Sequence, residues 1–410
     1  MSSEQIAVKQ SNSDIQTTVY PILFAVSLVH LLNDTMQSVI PALFPILKEA
    51  LSLSFTQIGL ISMVNNVTAA ILQPVIGTYT DRRPKPWLLP TGVVSTMVGM
   101  MGIAYASRFE MVLLAVIFMG MGSAVLHPES SRVAYLAGGS KKGLAQSIFQ
   151  LGGNVGQALA PVMTATIFVH TGQQGVVWFV CIMVIGLALQ TRVASWYRKY
   201  IANVRMKKKT MKQAASSVLQ LSRGRVIFSI SILMILVFSK NVYSASITNY
   251  YAFFAMERFG ITMGQAQMIL FVFLVANVIG LMFGGVLADR FSRKGLIWFS
   301  ILGTAPFALA LPYVNLTLSV ILIFFAGLIL ASAFSIILVY ANELLPGRVG
   351  LVSGIFFGLA FGMAGIGSAF LGNLADSTGI TFVMRCAAYL PLIGLFTVFL
   401  PTEKQMYGER

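Results

Sequence analysis

Long, uninterrupted apolar runs constrain this chain more than any other feature of its sequence. A helix needs roughly 20 mainly apolar residues to cross a bilayer, and runs of that length recur along the whole chain. They do not alternate between polar and apolar residues as the strands of a membrane barrel do. We therefore predict an all-α integral membrane fold with twelve transmembrane helices. The predicted helices lie near residues 20–45, 54–79, 87–106, 109–135, 143–170, 175–195, 225–252, 263–288, 295–313, 317–344, 349–373 and 381–401.

The composition excludes a water-soluble protein. Of the 410 residues, 57% are hydrophobic and 10% are charged, whereas soluble domains carry roughly 25% charged residues. The net charge of +15 does not indicate nucleic-acid binding, because a binding domain would need a sizeable soluble segment, and the sequence has none. Basic residues instead gather in the cytoplasmic loops of membrane proteins. The expected partner of the chain is therefore the lipid bilayer, and no nucleic acid is expected.

The distribution of basic residues predicts the orientation of the helices. Residues 196–224 lie in the longest polar stretch between apolar runs, and they contain many Lys and Arg residues but no acidic residue. We predict that this segment is a cytoplasmic linker between two six-helix bundles at residues 20–195 and 225–401. With an even number of helices, the polar tails at residues 1–19 and 402–410 both lie in the cytoplasm.

A short motif occurs twice, once after the second predicted helix and once after the eighth. Both copies have Gly, then Asp four residues later, then Arg, and they lie 208 residues apart (285 minus 77). The motif residues are Gly77, Asp81 and Arg82 in the first copy, and Gly285, Asp289 and Arg290 in the second, which Arg293 follows. Such a repeat indicates duplication in parallel topology, with two halves related by an axis along the membrane normal.

The repeated motif has a physical interpretation as a gating loop. An acid just past a helix end can accept hydrogen bonds from backbone or Arg groups of a neighbouring helix. A glycine one turn earlier permits close helix approach. The alternative is a loop whose basic residues only fix the topology, with an incidental acid. The second copy at the same spacing favours the gating role.

The motif loops resemble the signature of the major facilitator superfamily, and the second copy is the better match. Four further segments resemble the fosmidomycin-resistance efflux proteins of its drug:proton antiporter branch. These are HLLND at 30–34, HPESSR at 127–132, GLAQSIFQLGGN at 143–154 and ELLPGR at 343–348. The similarity covers essentially the whole chain after the N-terminal tail.

This resemblance implies a multi-pass protein of the bacterial inner membrane that exports a drug in exchange for protons. Its cargo would be a small anionic phosphonate of the fosmidomycin type, moved by alternating access. Uptake or exchange of an organic anion or a sugar phosphate on the same scaffold is the alternative. We expect no enzyme activity, metal or cofactor, since no metal-spaced set of His and Asp residues and no nucleophile motif occurs. We also expect a monomer.

Charged and polar residues inside the predicted helices are the candidates for proton coupling. A charge at the bilayer centre costs about 2.5–3.5 kcal/mol, so it marks a functional position by default. Asp34 lies near the middle of helix one, and His30 shares its face because the two are four residues apart. His127, Glu129 and Arg132 form a second candidate group on helix four. A structural carboxylate at Asp34 and a charge network anchoring helix four are the alternatives.

Other polar residues are candidates for contact with the cargo. Lys240 on helix seven lies at nearly the depth of Asp34 by the repeat offset, so it either pairs with Asp34 or binds an anionic cargo. The remaining candidates are Tyr243, Asn33, Gln37, Gln150 and Asn154. Gln150 and Asn154 either line the cavity or bond a neighbouring helix. Glu343 and Arg348 at the inner end of helix ten are predicted to form a structural network.

Overall fold

The structure, a computed structural model, describes residues 17–139, 141–207, 221–288, 291–332, 334–345, 349–402 and 405–406. This part of the chain is helical apart from short turns and contains no strand. Nine of its helical stretches are long and apolar enough to cross a membrane, and Leu88–Ala104 and Leu316–Ala331 are shorter apolar helices. The predicted all-α membrane fold is confirmed, while twelve crossings and cytoplasmic termini stay predictions.

The first half of the chain, up to the basic segment, folds into a bundle of helices. They are α1 (Tyr20–Ala42), α2 (Phe44–Ala50), α3 (Phe55–Arg82), α4 (Leu88–Ala104), α5 (Phe109–Ala137), α6 (Lys142–Met163), α7 (Val169–Thr171) and α8 (Val177–Lys207). A π-helical turn, Thr164–Phe168, joins α6 to α7, and a 3-10 turn, Gln173–Val176, precedes α8. Within this bundle α1 packs against α6, and α5 packs between α3 and α4.

The second half of the chain runs from the basic segment to a 3-10 segment that ends at Phe399. Its helices are α9 (Arg223–Phe259), α10 (Met263–Ala288), α11 (Arg293–Leu302), α12 (Ala305–Ala310), α13 (Leu316–Ala331), α14 (Phe334–Leu344), α15 (Val349–Thr378) and α16 (Ile380–Ala387). Two 3-10 segments, Leu311–Tyr313 and Leu390–Phe399, follow α12 and α16.

Several helices end where the geometry and hydrogen bonding of the backbone, not hydropathy, place the end. The predicted helix 175–195 continues as α8 to Lys207, since backbone hydrogen bonding can run past the apolar stretch into the polar segment. The predicted helix 225–252 continues as α9 to Phe259, where Gly260 ends it with a left-handed φ of 63°. The last predicted helix changes to 3-10 geometry near Pro391, which lacks a backbone N–H.

The two halves meet along α3 and α15, and a carboxylate joins them at one end. We call this end, which carries the turns after α2 and α15, the outer end, after the predicted orientation. Asp376 of α15 accepts bonds from the backbone N–H groups of Phe55 and Thr56, both at 2.7 Å, and from Thr56 Oγ1 at 2.6 Å. Asp376 therefore caps α3 from the opposite half, because the first N–H groups of a helix lack partners within it.

A second set of contacts between the halves lies deeper below the outer end. Asn249 of α9 donates to Ser62 Oγ at 3.1 Å and to Ser368 Oγ at 2.7 Å, so it links α3 and α15. Gln267 of α10 donates to the carbonyl of Ala42 at 3.1 Å. Together with the Asp376 cap, these bonds join the two halves at the outer end.

Candidate functional site

Three titratable side chains of the first half meet in one buried group, here called the triad. His30 and Asp34 lie one turn apart on α1, and His127 reaches them from α5. The Nε2 atoms of His30 and His127 lie 3.4 and 3.3 Å from the same oxygen, Asp34 Oδ1. The sequence predicts the pair His30 and Asp34 by spacing, and the structure adds His127 to it.

The remaining bonding capacity of Asp34 is taken by neutral amides. Gln157 of α6 donates to Oδ2 at 3.0 Å, and Asn33 donates to Oδ1 at 3.2 Å. Thr96 of α4 in turn donates to Asn33 Oδ1 at 3.2 Å. The carboxylate is thus surrounded by hydrogen-bond donors, the environment that a buried anion needs.

Both imidazole rings are oriented by backbone carbonyls. His30 Nδ1 bonds the carbonyl of Phe149 at 2.8 Å, and its ring stacks on the Phe149 ring with 4.0 Å between centroids. His127 Nδ1 bonds the carbonyl of Ser123 at 2.9 Å. Because a carbonyl oxygen only accepts, each Nδ1 carries the hydrogen. Each Nε2 is therefore the atom left to exchange a proton with its surroundings.

His127 is the most exposed member of the triad. The side chain of His127 is 22% exposed, compared with 5% for that of Asp34. Its ring also contacts Phe361 of α15 edge-on, with 6.2 Å between centroids. The triad therefore lies inside the first half but touches the second half through one of its own members.

The three side chains also offer ligand atoms within 4.8 Å of one another, which is close enough for a metal ion. The neighbours of Asp34 argue for a different use. Asn33 and Gln157 both direct N–H groups at the carboxylate, which stabilises an anion and competes with a cation for its oxygens. The chemistry of this donor set suits a proton site better than a metal site.

Glu129 and Arg132 lie on a different side of α5 from the triad contacts of His127. Arg132 Nη1 bonds the fully buried carboxylate of Glu129 at 2.7 Å, and Arg132 Nη2 donates to the carbonyl of Gly77 at 3.4 Å. The three residues predicted as one group on the fourth predicted helix, which is α5, therefore form two separate groups. His127 belongs to the triad, whereas Glu129 and Arg132 tie α5 to the end of α3.

The predicted cargo residues of α9 are buried in this conformation. Lys240 and Tyr243 are 7% and 1% exposed, and the Tyr243 hydroxyl has no hydrogen-bond partner in the part of the chain that the structure describes. The described ion pairs of Asp34 are with His30 and His127. The choice for Lys240 between pairing with Asp34 and binding an anionic cargo stays a prediction.

The other predicted cargo residues are bonded within the first half. Asn33 is fully buried against Asp34, and Gln37 donates to the carbonyl of Met119 at 2.9 Å. Asn154 donates to the carbonyl of Gln150 in its own helix at 2.9 Å. Their contact with cargo stays a prediction.

The predicted gating loops are described in part. Gly77 lies near the end of α3, close to Pro128 of α5, and Asp81 and Arg82 form the last residues of α3. Gly285 lies in the last turn of α10. Asp289, Arg290 and Arg348 lie outside the described residues.

The carboxylate of Glu343, at the end of α14, pairs with an arginine that follows the second Gly-Asp-Arg motif. Glu343 forms an ion pair with Arg293 at the start of α11, which joins the predicted network at Glu343 to the second gating loop. The predicted partner, Arg348, is outside the part of the chain that the structure covers.

Gln157 is the site residue that the sequence reasoning missed. The signal was present, because Gln157 lies seven residues after Gln150 and three after Asn154, and this spacing places all three on neighbouring positions of one helix face. These polar residues also explain why the predicted helix 143–170 is not among the nine stretches that are long and apolar enough to cross a membrane.

Comparisons with known proteins identify the family of the chain. A model of the Major Facilitator Superfamily matches residues 26–266 and 235–408. The Fosmidomycin resistance protein of Escherichia coli (strain K12) is 48% identical over 387 residues, which cover 94% of each chain. An uncharacterized MFS-type transporter of Bacillus subtilis (strain 168), YfnC, is 43% identical over 390 residues, 95% of each chain.

Solved structures with the same fold are transporters. A D-xylose-proton symporter superposes with a TM-score of 0.71 at 16% identity, covering 95% of this chain and 99% of that one. A bacterial homologue of the human lysosomal transporter Spinster, inward-facing and occupied, gives 0.68 at 16% identity, covering 92% and 94%. This likeness shows the fold, and the family match and the two relatives show a multi-pass membrane transporter of small molecules. On its sequence and its fold, the chain belongs to the Major Facilitator Superfamily.

Proposed function

We propose that this protein exports a small anionic drug, a phosphonate of the fosmidomycin type, in exchange for protons across the bacterial inner membrane. The observation that carries the proposal is the triad, because it places two imidazoles and a carboxylate within one buried group. Titratable residues in such positions are the usual elements of proton relays in transporters. The relative named Fosmidomycin resistance protein supports the choice of cargo.

The geometry of the triad explains how the binding and release of protons would change the contacts among its three side chains. An Nε2 atom can bond Asp34 Oδ1 only when it carries a proton, since the carboxylate only accepts. Without that proton, a nitrogen lone pair faces a negatively charged oxygen. Proton uptake therefore draws the triad together and proton loss loosens it. Each proton moving inward gains roughly 2.3 kcal/mol per 100 mV of membrane potential, which can drive export if proton and cargo alternate.

The cargo would bind at the predicted cargo residues of α9. Lys240 offers a positive charge, and one turn later Tyr243 has a buried hydroxyl without a hydrogen-bond partner among the described residues. A phosphonate oxygen can accept a hydrogen bond from each of these groups. The cargo site would open to the cytoplasm first, since the bonds around Asp376 join the two halves at the outer end.

A second candidate function is uptake or exchange of an organic anion. A protein of Escherichia coli (strain K12) named a probable L-galactonate transporter is 28% identical over 189 residues, 45% of this chain. The same positive charge at Lys240 would suit a sugar acid. The direction of net transport distinguishes the two candidates.

Drug susceptibility of cells that express the chain tests the proposal. We expect expression to raise the tolerated concentration of fosmidomycin severalfold and to leave the tolerated concentrations of unrelated cationic and neutral drugs unchanged. Cells with an empty vector are the control. Increased sensitivity to fosmidomycin would favour uptake of anions instead. Unchanged susceptibility to every compound would contradict export of drugs.

Lys240→Met tests the charge that the cargo is proposed to meet. Removing a charged hydrogen-bond donor from a desolvated site weakens binding by about 1.5–3 kcal/mol. We therefore expect the apparent KM for fosmidomycin to rise roughly 10- to 100-fold, while the conservative change Lys240→Arg keeps part of the affinity. Equal KM values for Lys240→Met and the natural protein would exclude this contact.

A further inference from the structure

Gln157 is bonded to the oxygen of Asp34 that the histidines leave open. Its Nε2 donates to Oδ2 at 3.0 Å, whereas His30, His127 and Asn33 all approach Oδ1, at 3.2 to 3.4 Å. The two carboxylate oxygens are therefore not equivalent. One receives the two imidazoles, and the other is held by a single amide from α6.

The face of α6 that carries Gln157 touches the triad at three successive turns. Phe149 accepts the bond from His30 Nδ1 with its carbonyl. Gly153 follows four residues later, and a Cβ there would lie 2.7 Å from His30 Nε2 and 3.0 Å from Asp34 Oδ2. Gln157 follows after four more residues. One helix thus orients an imidazole, leaves space for it and holds the carboxylate.

The position of α6 along α1 is fixed by close backbone contact. A Cβ at Gly152 would collide with the carbonyl of Ser27, and one at Gly156 would collide with the carbonyl of Leu31. Ser27 Oγ also donates to the carbonyl of Ile148 at 2.7 Å. The reach of the Gln157 side chain to Asp34 is therefore set by rigid packing between the two helices.

We infer that Gln157 is a positioning residue of the proton site, a role that rests on the proposed proton coupling. It fixes the plane of the Asp34 carboxylate so that Oδ1 alone faces both imidazoles. Among the described residues, the titratable groups next to this carboxylate are His30 on α1 and His127 on α5, and α6 contributes only the neutral Gln157. Without Gln157 the carboxylate can rotate and lose the shared contact.

Two variants at this position separate a donor role from a packing role. Gln157→Leu keeps the approximate volume and removes the N–H donor. Gln157→Glu keeps the shape but can donate to Oδ2 only while its own carboxyl holds a proton, because two adjacent carboxylates repel each other when both are ionised. Thr166→Val is a matched control, since this exposed hydroxyl only bonds the carbonyl of Val162 in its own helical stretch.

The experiment measures proton-driven export of fosmidomycin by the full chain in proteoliposomes over a range of pH. We expect Gln157→Leu to lower the rate roughly 10- to 100-fold at every pH, the effect of losing a hydrogen bond to a charged group. Gln157→Glu should export well in acid and lose this activity as the pH rises. Thr166→Val should match the natural protein throughout.

The outcomes distinguish this inference from the proposed function. If the natural protein exports without any dependence on the proton gradient, the proposed coupling itself fails. If the natural protein is proton-driven but Gln157→Leu matches it, the positioning role is wrong. If Gln157→Leu and Gln157→Glu lose export equally at every pH, Gln157 serves packing and the inference is also overturned.

Discussion

Replacing Asp34 by asparagine is expected to abolish proton-driven accumulation of fosmidomycin while leaving the protein folded. Asparagine keeps the volume and can still accept from Gln157, but it has no charge to hold protons on His30 and His127. The loss of two contacts to a charged group predicts a decrease in export of at least roughly 100-fold. Initial rates in proteoliposomes with an imposed pH gradient, at equal protein content, measure this change.

Exchange of drug for drug without a gradient is the internal control for Asp34→Asn. Such exchange needs the cavity and the rocking of the halves but no net proton movement, so we expect it to persist. Thr191→Val, which removes an exposed hydroxyl bonded to the carbonyl of Leu187, should retain both activities. Full gradient-driven export by Asp34→Asn would show that the triad does not couple protons to cargo.

Linking Thr56 to Asp376 is expected to stop transport completely and reversibly. The two side chains are 2.6 Å apart at their oxygens and join the two halves at the outer end. We propose to replace both by cysteine, with the exposed Cys181 and Cys386 changed to serine, and to treat the protein with a short thiol cross-linker that a reductant cleaves. Alternating access requires this end to open, so the cross-linked protein should not export drug.

Each single-cysteine variant, treated with the same reagent, is the control for the cross-link. These variants lack the Asp376 cap or one of its donors but have no bond between the halves, so they should continue to transport. The reductant should restore transport to the doubly substituted protein. Undiminished export by fully cross-linked protein would mean that the outer end need not open, which contradicts alternating access.

The sequence alone predicted the membrane fold because hydropathy depends on composition within single segments. The positions of His30 and Asp34 on one helix face also followed from local spacing. The ends of α8 and α9 could not be predicted from the sequence in this way, because hydropathy reports the apolar stretch and not the point where backbone hydrogen bonding ends. The 3-10 segment near Pro391 was missed for the same reason.

Contacts between helices were the part of the site that the sequence left open. His127 lies 93 residues after Asp34 (127 minus 34), and only the packing of α5 against α1 brings them together. Gln157 had no local partner to indicate that it would bond Asp34. Likewise, Glu343 pairs with Arg293 across two helices, and nothing in the spacing of ELLPGR predicts that partner.

Drug-driven proton movement tests the coupling most directly. Proteoliposomes would be loaded with fosmidomycin and a pH-sensitive dye and then diluted into drug-free buffer of the same pH. No pH gradient would be imposed, and the membrane potential would be clamped. We expect the interior to become more acidic as drug leaves through the natural protein, since protons enter in exchange, and we expect Asp34→Asn to abolish this signal. Exit of the drug through the natural protein without a change in internal pH would contradict the proposed exchange.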